Sequence, residues 1–87
     1  MEENPYSKSV RNRITRNLGH LTKVKEMIDN GNDFEKVILQ LKAVRNSLDS
    51  TANAIVAEQA QCAVISALQE ENPEIVMDFY KDYSKYF

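Results

Sequence analysis

Basic side chains are concentrated in the first part of the chain. Residues 1–25 carry six lysines or arginines and two glutamates, a net charge of +4, and no acidic residue occurs from residue 4 to residue 25. Residues 26–87 carry five basic and eleven acidic side chains, a net charge of −6. A basic stripe on one element is typical of phosphate and nucleic-acid binding, even in an acidic chain. The alternative is a solvated helix face that balances the acidic remainder. The six basic residues are Lys8, Arg11, Arg13, Arg16, Lys23 and Lys25.

Side chains that could perform catalysis are scarce. His20 and Cys62 are the only histidine and cysteine, and neither has an evident group to orient it. The sequence has no glycine-rich phosphate loop and no HExxH motif. It therefore does not predict an enzyme. We expect His20 to face solvent or phosphate, and Cys62 to be a small buried hydrophobic residue.

Length and composition are those of one small folded domain spanning residues 1–87. The chain has 87 residues, of which 43% are hydrophobic and 28% charged. A single cysteine excludes an intrachain disulfide and a zinc site built only from cysteines of one chain. No apolar stretch approaches the roughly 20 residues that a membrane span needs. These features predict a cytoplasmic protein without a membrane partner.

Apolar residues at steps of three and four predict a first helix over about 6–30. Ser7 is suited to its start, and Gly31 to the left-handed position that follows its end. Gly19 interrupts this helix, and close packing against a neighbouring helix would explain an interior glycine that costs roughly 1 kcal/mol relative to alanine. The apolar face comprises Val10, Ile14, Leu18, Leu21, Val24 and Ile28.

A second helix is predicted over about 33–70, with Asn32 and Glu35 as its capping box. The short turn before it makes the first two helices an antiparallel hairpin. A third helix over about 73–85 begins after Asn72, with apolar residues at 75, 79, 83 and 86. The second helix carries a heptad-like seam of Phe34, Val37, Leu41, Val44, Leu48, Thr51, Ile55, Glu58, Cys62 and Ile65.

The length of the second helix predicts an oligomer. About 36 residues at 1.5 Å per residue extend about 54 Å. A compact monomer of this size would be only about 30 Å across. The chain is therefore expected to be all-α and to pack the second helix against another copy.

Two sequence blocks resemble the CsoR/RcnR family of small helical repressors. They are RITRNLGHL at residues 13–21 and QLKAVRNSL at residues 40–48, and the resemblance covers roughly residues 8–86. It implies three helices, an antiparallel four-helix bundle in the dimer, and a dimer of dimers. It also implies a repressor that binds GC-rich double-stranded operator DNA until an inducer weakens that binding.

The resemblance places the family's inducer ligands at Phe34, Gln59 and Ala63. Phenylalanine and alanine offer no lone pair, and a single glutamine carbonyl is a poor ligand for soft or borderline cations. Copper, nickel or cobalt sensing at the usual site is therefore not expected, and no metal cofactor is predicted. Cys62 precedes Ala63 by one residue, which turns its side chain about 100° away on a helix.

The resemblance implies that this chain preserves the family's DNA-contacting residues better than its inducer ligands. Arg13 matches an arginine that relatives use for DNA, whereas Ser50 stands where relatives have a second arginine. The missing charge predicts weaker operator affinity. Arg45 could face DNA or pair with an acidic side chain in the bundle. The predicted DNA-binding residues are Lys8, Arg11, Arg13, Arg16, His20, Lys23 and Arg45.

Three functional hypotheses follow. The first is a DNA-binding repressor whose inducer is not the usual copper or nickel. The second is a helical paralogue that does not sense, and that assembles with a sensing relative. The third is a thiol-based sensor that uses Cys62, although a buried thiol is usually unreactive.

Overall fold

The structure, a computed structural model, describes residues 4–85. It contains three α-helices: α1 (Lys8–Asp29), α2 (Phe34–Glu70) and α3 (Glu74–Ser84). Residues 4–85 include no β-strand, and the all-α fold class is confirmed. Each helix end lies within two residues of its predicted position. Tyr86, which was expected on the third helix, lies outside the described residues.

Helix α1 has a side-chain cap at its start and a glycine turn at its end. The Ser7 hydroxyl accepts a hydrogen bond from the Val10 N–H at 3.1 Å, which satisfies one of the free donors of the first turn. Gly31 follows the helix with φ +70°. The Asn32 N–H then donates to the Met27 carbonyl at 3.0 Å, as in a Schellman motif. Both predicted ends of this helix are confirmed.

The starts of α2 and α3 each lie one residue later than expected. The Asp33 carbonyl accepts the Val37 N–H at 3.1 Å, so Asp33 and not Asn32 is the residue that flanks α2. The predicted capping box of Asn32 and Glu35 is therefore out of register with the start of the helix, and Lys36, three residues after Asp33, cannot complete another. At α3, the Asn72 side-chain oxygen accepts the Glu74 N–H at 3.1 Å. Asn72 thus satisfies a backbone donor at the start of α3, as expected of a capping residue.

The α2–α3 connection repeats the glycine turn of α1 without a glycine. Glu71 has φ +53°, in the left-handed region that residues with a Cβ rarely adopt. The Asn72 N–H donates to the Ala67 carbonyl at 3.0 Å, which corresponds to the bond after Gly31. Glu71 therefore holds a conformation for which glycine is better suited.

The chain divides into two compact units, and the boundary lies within α2 between Ala52 and Asn53. The first unit contains the antiparallel hairpin of α1 and the first half of α2. The second contains the rest of α2 and α3. A single domain over residues 1–87 stays a prediction. Among the described helices, none combines the length and the apolar character needed to cross a membrane.

The hairpin of the first unit is packed along a seven-residue repeat. Val24, Val37 and Val44 form its apolar core, with Met27 against them. The buried residues of the two helices are Val10, Asn17 and Val24 on α1, and Val37, Val44 and Thr51 on α2. The seam therefore contains a polar layer at Asn17 and Thr51, which the apolar pattern did not predict.

Most of the predicted apolar face lies outside this seam. Steps of three and four select a broad band of each helix, and only one edge of that band faces the other helix. The rest of the band is between 41% and 64% exposed in the single chain. We call these residues the apolar flank: Ile14, Leu18, Leu21 and Ile28 of α1, and Ile38, Leu41 and Leu48 of α2.

In the second unit, aromatic residues of α3 pack along α2. The rings of Phe79 and Tyr83 are stacked, with centroids 6.0 Å apart. These two rings line one small cleft together with Ile55, Val56 and Gln59 of α2. The predicted apolar face of α3 is thus directed at α2 through its aromatic residues.

Candidate nucleic-acid interface

Four basic side chains of α1 share one side of the hairpin. Arg13, Arg16, His20 and Lys23 follow one another at steps of three, four and three, which is the spacing of residues on one helix face. We call them the basic flank. Arg16 and Lys23 are exposed, whereas Arg13 and His20 are half-buried against α2.

Arg13 contacts α2 at the residue that stands in place of a second family arginine. Its Nη1 donates a hydrogen bond to the Ser50 hydroxyl at 3.3 Å. A guanidinium has five N–H donors, so one neutral contact leaves most of them for an external acceptor such as phosphate. Within residues 4–85, Arg13 forms no salt bridge that would neutralise it. The contact therefore orients the guanidinium and leaves its charge available.

His20 is joined to α2 two turns further along the hairpin. Its Nε2 lies 2.9 Å from Oε1 of Gln40. Because both residues are half-buried, this contact ties the histidine to the hairpin and fixes the orientation of its ring. The expectation of a solvent-facing or phosphate-facing His20 is thus modified: one ring nitrogen already has a partner in the chain.

A buried polar layer lies between these two contacts. Asn17 Nδ2 donates to the Thr51 hydroxyl at 3.1 Å, and the Ser47 hydroxyl donates to Asn17 Oδ1 at 2.5 Å. The Thr51 hydroxyl in turn donates to the Ser47 carbonyl at 2.9 Å. No buried side-chain nitrogen or oxygen of the described residues lacks a partner. Because Asn17 is one turn from Arg13, and Thr51 follows Ser50, the layer fixes the helix register on which the Arg13 contact depends.

Sequence reasoning missed Asn17, although a signal was present. Asn17 stands seven residues after Val10 and seven before Val24, and all three are buried. A search for apolar residues passes over a polar residue at a core position. The seven-residue spacing alone would have selected it.

The basic flank borders an open groove of about 770 Å³ along the hairpin. Arg16, His20 and Lys23 line it on α1, and Gln40 lines it on α2. Gly19 also lines the groove, and a Cβ added there would have no heavy atom within 4 Å. Among the described residues of one chain, no helix packs closely against Gly19, so the expected close packing is not found within the hairpin.

The other predicted DNA-binding residues lie elsewhere. Arg45 lines a separate groove with Leu21, Leu41 and Leu48, three residues of the apolar flank. Arg11 is exposed and seven residues before Leu18, so it shares a stripe of α1 with the apolar flank and not with Arg13. Lys8 is the first residue of α1 and is also exposed. The structure thus brings four of the seven predicted residues to one face.

Most of the chain matches one known protein family. A family model described as metal-sensitive transcriptional repressor matches residues 6–82. The chain belongs to this family. The comparison with curated proteins and the comparison with solved structures gave no match.

Three residues of α2 stand at the positions where the resemblance places the family's inducer ligands. Phe34 is 76% exposed at the start of α2. Gln59 is half-buried in the cleft beside Phe79 and Tyr83, and Ala63 is half-buried further along α2. Residues 4–85 contain no group of three or more histidine, cysteine, aspartate or glutamate side chains placed to hold a metal ion. The donor set at these positions does not fit the metal that the family name implies.

Cys62 is exposed in the chain. The expectation of a buried thiol is therefore wrong for the packing within one chain. The physical reason is that α3 covers a different side of α2, where Ile55, Val56 and Gln59 line the aromatic cleft.

Proposed function

We propose that this family member is a DNA-binding transcriptional repressor that contacts the DNA backbone through the basic flank. The observation that carries the proposal is the hydrogen bond from Arg13 to Ser50. It joins, on one face of the hairpin, the two positions at which relatives have DNA-binding arginines. Arg16 and Lys23 extend the same face, which gives a row of cations suited to successive phosphates.

The proposed DNA is a double-stranded, GC-rich operator, as the family resemblance implies, and the proposed compartment is the cytoplasm. Ser50 supplies a neutral hydroxyl where relatives have a charge. Each chain therefore neutralises one phosphate fewer than a relative with arginine at this position. The loss lowers the affinity for DNA without abolishing binding.

The proposed assembly is a homodimer through the apolar flank, with two dimers pairing into a tetramer. The exposure of seven large apolar side chains on one side of the hairpin supports this arrangement. The core within the first unit is small, with four buried valines among residues 4–52. A second copy of the hairpin would complete that core and leave the basic flank free.

We further propose an inducer other than the usual copper or nickel. Phe34 and Ala63 have no donor atom for a metal, and Gln59 has only a weakly coordinating amide. Relatives that sense formaldehyde or persulfides need, as the family resemblance implies, a cysteine at the position of Phe34, so this sensing is not expected either. The repressor would then respond to a ligand bound elsewhere, or act constitutively.

The direct test is binding to the DNA upstream of the protein's own gene, measured by fluorescence anisotropy at about 100 mM salt against unrelated duplex. Arg13→Gln should weaken binding, because it removes an oriented guanidinium. Lys25→Gln is the matched control, because Lys25 is already paired with Asp29 at 2.7 Å. Equal affinity of the parent protein for upstream and unrelated DNA would refute a sequence-specific repressor.

One observation favours a second candidate function. The exposed thiol of Cys62 is accessible to oxidants and electrophiles, as a thiol-based sensor requires. Comparing the parent with Cys62→Ser in the same DNA-binding assay, with and without hydrogen peroxide, separates the two candidates. A peroxide response that disappears in the serine variant would establish the sensor, whereas identical behaviour of the two proteins would exclude it.

The non-sensing paralogue that assembles with a relative remains the other alternative. Co-expression with a sensing relative, followed by native mass spectrometry, tests it. Mixed assemblies would support it, and homotetramers alone would exclude it.

A further inference from the structure

The groove beside the basic flank has the composition of a small-molecule site. Its volume of about 770 Å³ lies within the range typical of ligand pockets. Arg16 and Lys23 bring two positive charges, and His20 and Gln40 bring polar groups that are already held in place by their mutual contact. Glu26 is the one acidic residue among the described residues that line it.

The groove also has an apolar floor and a polar end. Val24 and Met27 line its base, and the side chains of Asn30 and Asn32 lie at the end nearest the turn. This distribution places the cations Arg16 and Lys23 towards one end, and the carboxylate of Glu26 with the amides of Asn30 and Asn32 towards the other. A ligand with an anionic group and a polar organic part matches both ends.

Gly19 is a second and independent observation. An interior helical glycine costs roughly 1 kcal/mol relative to alanine. Within the described chain nothing packs where its side chain would stand. The missing side chain therefore serves no contact in the hairpin, and instead keeps the groove open between Arg16 and Lys23.

We propose that this groove binds a small organic phosphate, with the phosphate held by Arg16 and Lys23 and the organic part directed towards Asn30 and Asn32. Arginine and lysine are the usual partners of phosphate groups in proteins. A bound phosphate occupies the cations that the proposed DNA contact uses, so ligand and DNA compete. This competition rests on the proposed function, whereas binding of the ligand does not. The groove is thereby an inducer site that needs no metal.

The experiment uses the whole chain and two probes, AMP and inorganic phosphate, with adenosine as the uncharged control. Binding is followed by the backbone amide signals of Gly19, His20 and Gln40 in NMR spectra, at probe concentrations up to about 10 mM. Both phosphate probes should shift these signals, AMP with the higher affinity, and adenosine should not. Absence of shifts with both phosphate probes overturns the proposal.

Three variants locate the site. Lys23→Gln should weaken AMP binding about tenfold, because one charged contact is lost. Lys25→Gln removes the same charge from the same helix outside the groove, and should change the affinity less than twofold. Gly19→Leu fills the groove without changing its charge and should abolish AMP binding. Equal losses in the two lysine variants would indicate unspecific attraction to a basic helix and would also overturn the proposal.

Competition then separates this inference from the proposed function. AMP should release the protein from upstream DNA in the parent and not in Gly19→Leu. If AMP binds but the parent does not bind DNA, the repressor proposal fails and the ligand site stands. If DNA binding depends on Lys23 but AMP does not bind, the ligand site fails and the repressor proposal stands.

Discussion

Asn17 of α1 donates a hydrogen bond to Thr51 of α2 across 3.1 Å of buried space. Both residues occupy positions that a seven-residue repeat would fill with valine, as it does one heptad away at Val24 and Val44. The hydrogen bond of a polar pair forms in only one alignment of the two helices, whereas valines can pack against each other in several alignments. The pair therefore specifies the register of the hairpin, and with it the approach of Arg13 to Ser50.

Removing Asn17 should destabilise the hairpin. Asn17→Ala leaves buried hydroxyls without their amide partner, and we expect a loss of about 1–3 kcal/mol in the free energy of unfolding. Urea denaturation measures it. The double variant Asn17→Val, Thr51→Val should be more stable than the sum of its single changes, because replacing both partners leaves fewer unpaired groups. Asn12→Ala, an exposed change on the same helix, is the control; an equal loss there would contradict a buried role for Asn17.

Restoring a positive charge at residue 50 should strengthen DNA binding. Ser50→Arg adds one phosphate contact per chain beside Arg13. The slope of log affinity against log salt concentration should steepen by about 0.9 for each added contact. Ser50→Gln, which lengthens the side chain without a charge, should leave the slope unchanged. A salt slope identical in the arginine variant and the parent would place residue 50 outside the DNA contact.

Replacing Glu71 by glycine should stabilise the chain. The left-handed conformation of Glu71, φ +53°, costs a residue with a Cβ about 1–2 kcal/mol, which glycine avoids at a smaller entropic cost. The net gain of about 1 kcal/mol should raise Tm by about 4–8 °C in a domain of this size. The converse change, Gly31→Glu, should lower Tm, since Gly31 has φ +70°. An unchanged Tm in both variants would be inconsistent with strain at these turns.

A charge on the apolar flank should break the assembly. Leu41→Glu places a carboxylate at a position proposed to be buried between two copies, where an unpaired charge is strongly unfavourable. Sedimentation velocity should then report a smaller particle than for the parent. Asn46→Glu introduces the same charge on an exposed polar position of α2 and should leave the sedimentation coefficient unchanged. A Leu41→Glu protein of parental size would rule out association through this flank.

The helices and their ends were predictable because local interactions decide them. Periodic apolar residues, a serine before α1 and a glycine after it are all visible in the sequence. Residues 13–21 and 40–48 likewise contained enough of the family pattern to predict the family.

The division of each helix face was not predictable in the same way. Periodicity selects Ile14, Leu18 and Val24 together, yet only Val24 is buried against α2. Which edge of the band meets the neighbouring helix depends on how the hairpin pairs, and the polar pair of Asn17 and Thr51 fixes that pairing. The exposure of Cys62 was missed for a similar reason, since it depends on which side of α2 is covered by α3.

The seven-residue repeat of the hairpin also limits how its length can change. Deleting one residue between Asn17 and Val24 would turn everything on one side of the cut by about 100° about the helix axis. Either the valine core or the polar layer would then face solvent, and His20 and Gln40 would no longer meet. A change of length within either helix between these buried residues is therefore expected to disrupt the hairpin, unlike a change in the turn that joins α1 and α2. The Arg13 contact, the groove and the buried core therefore all depend on the same alignment of α1 with α2.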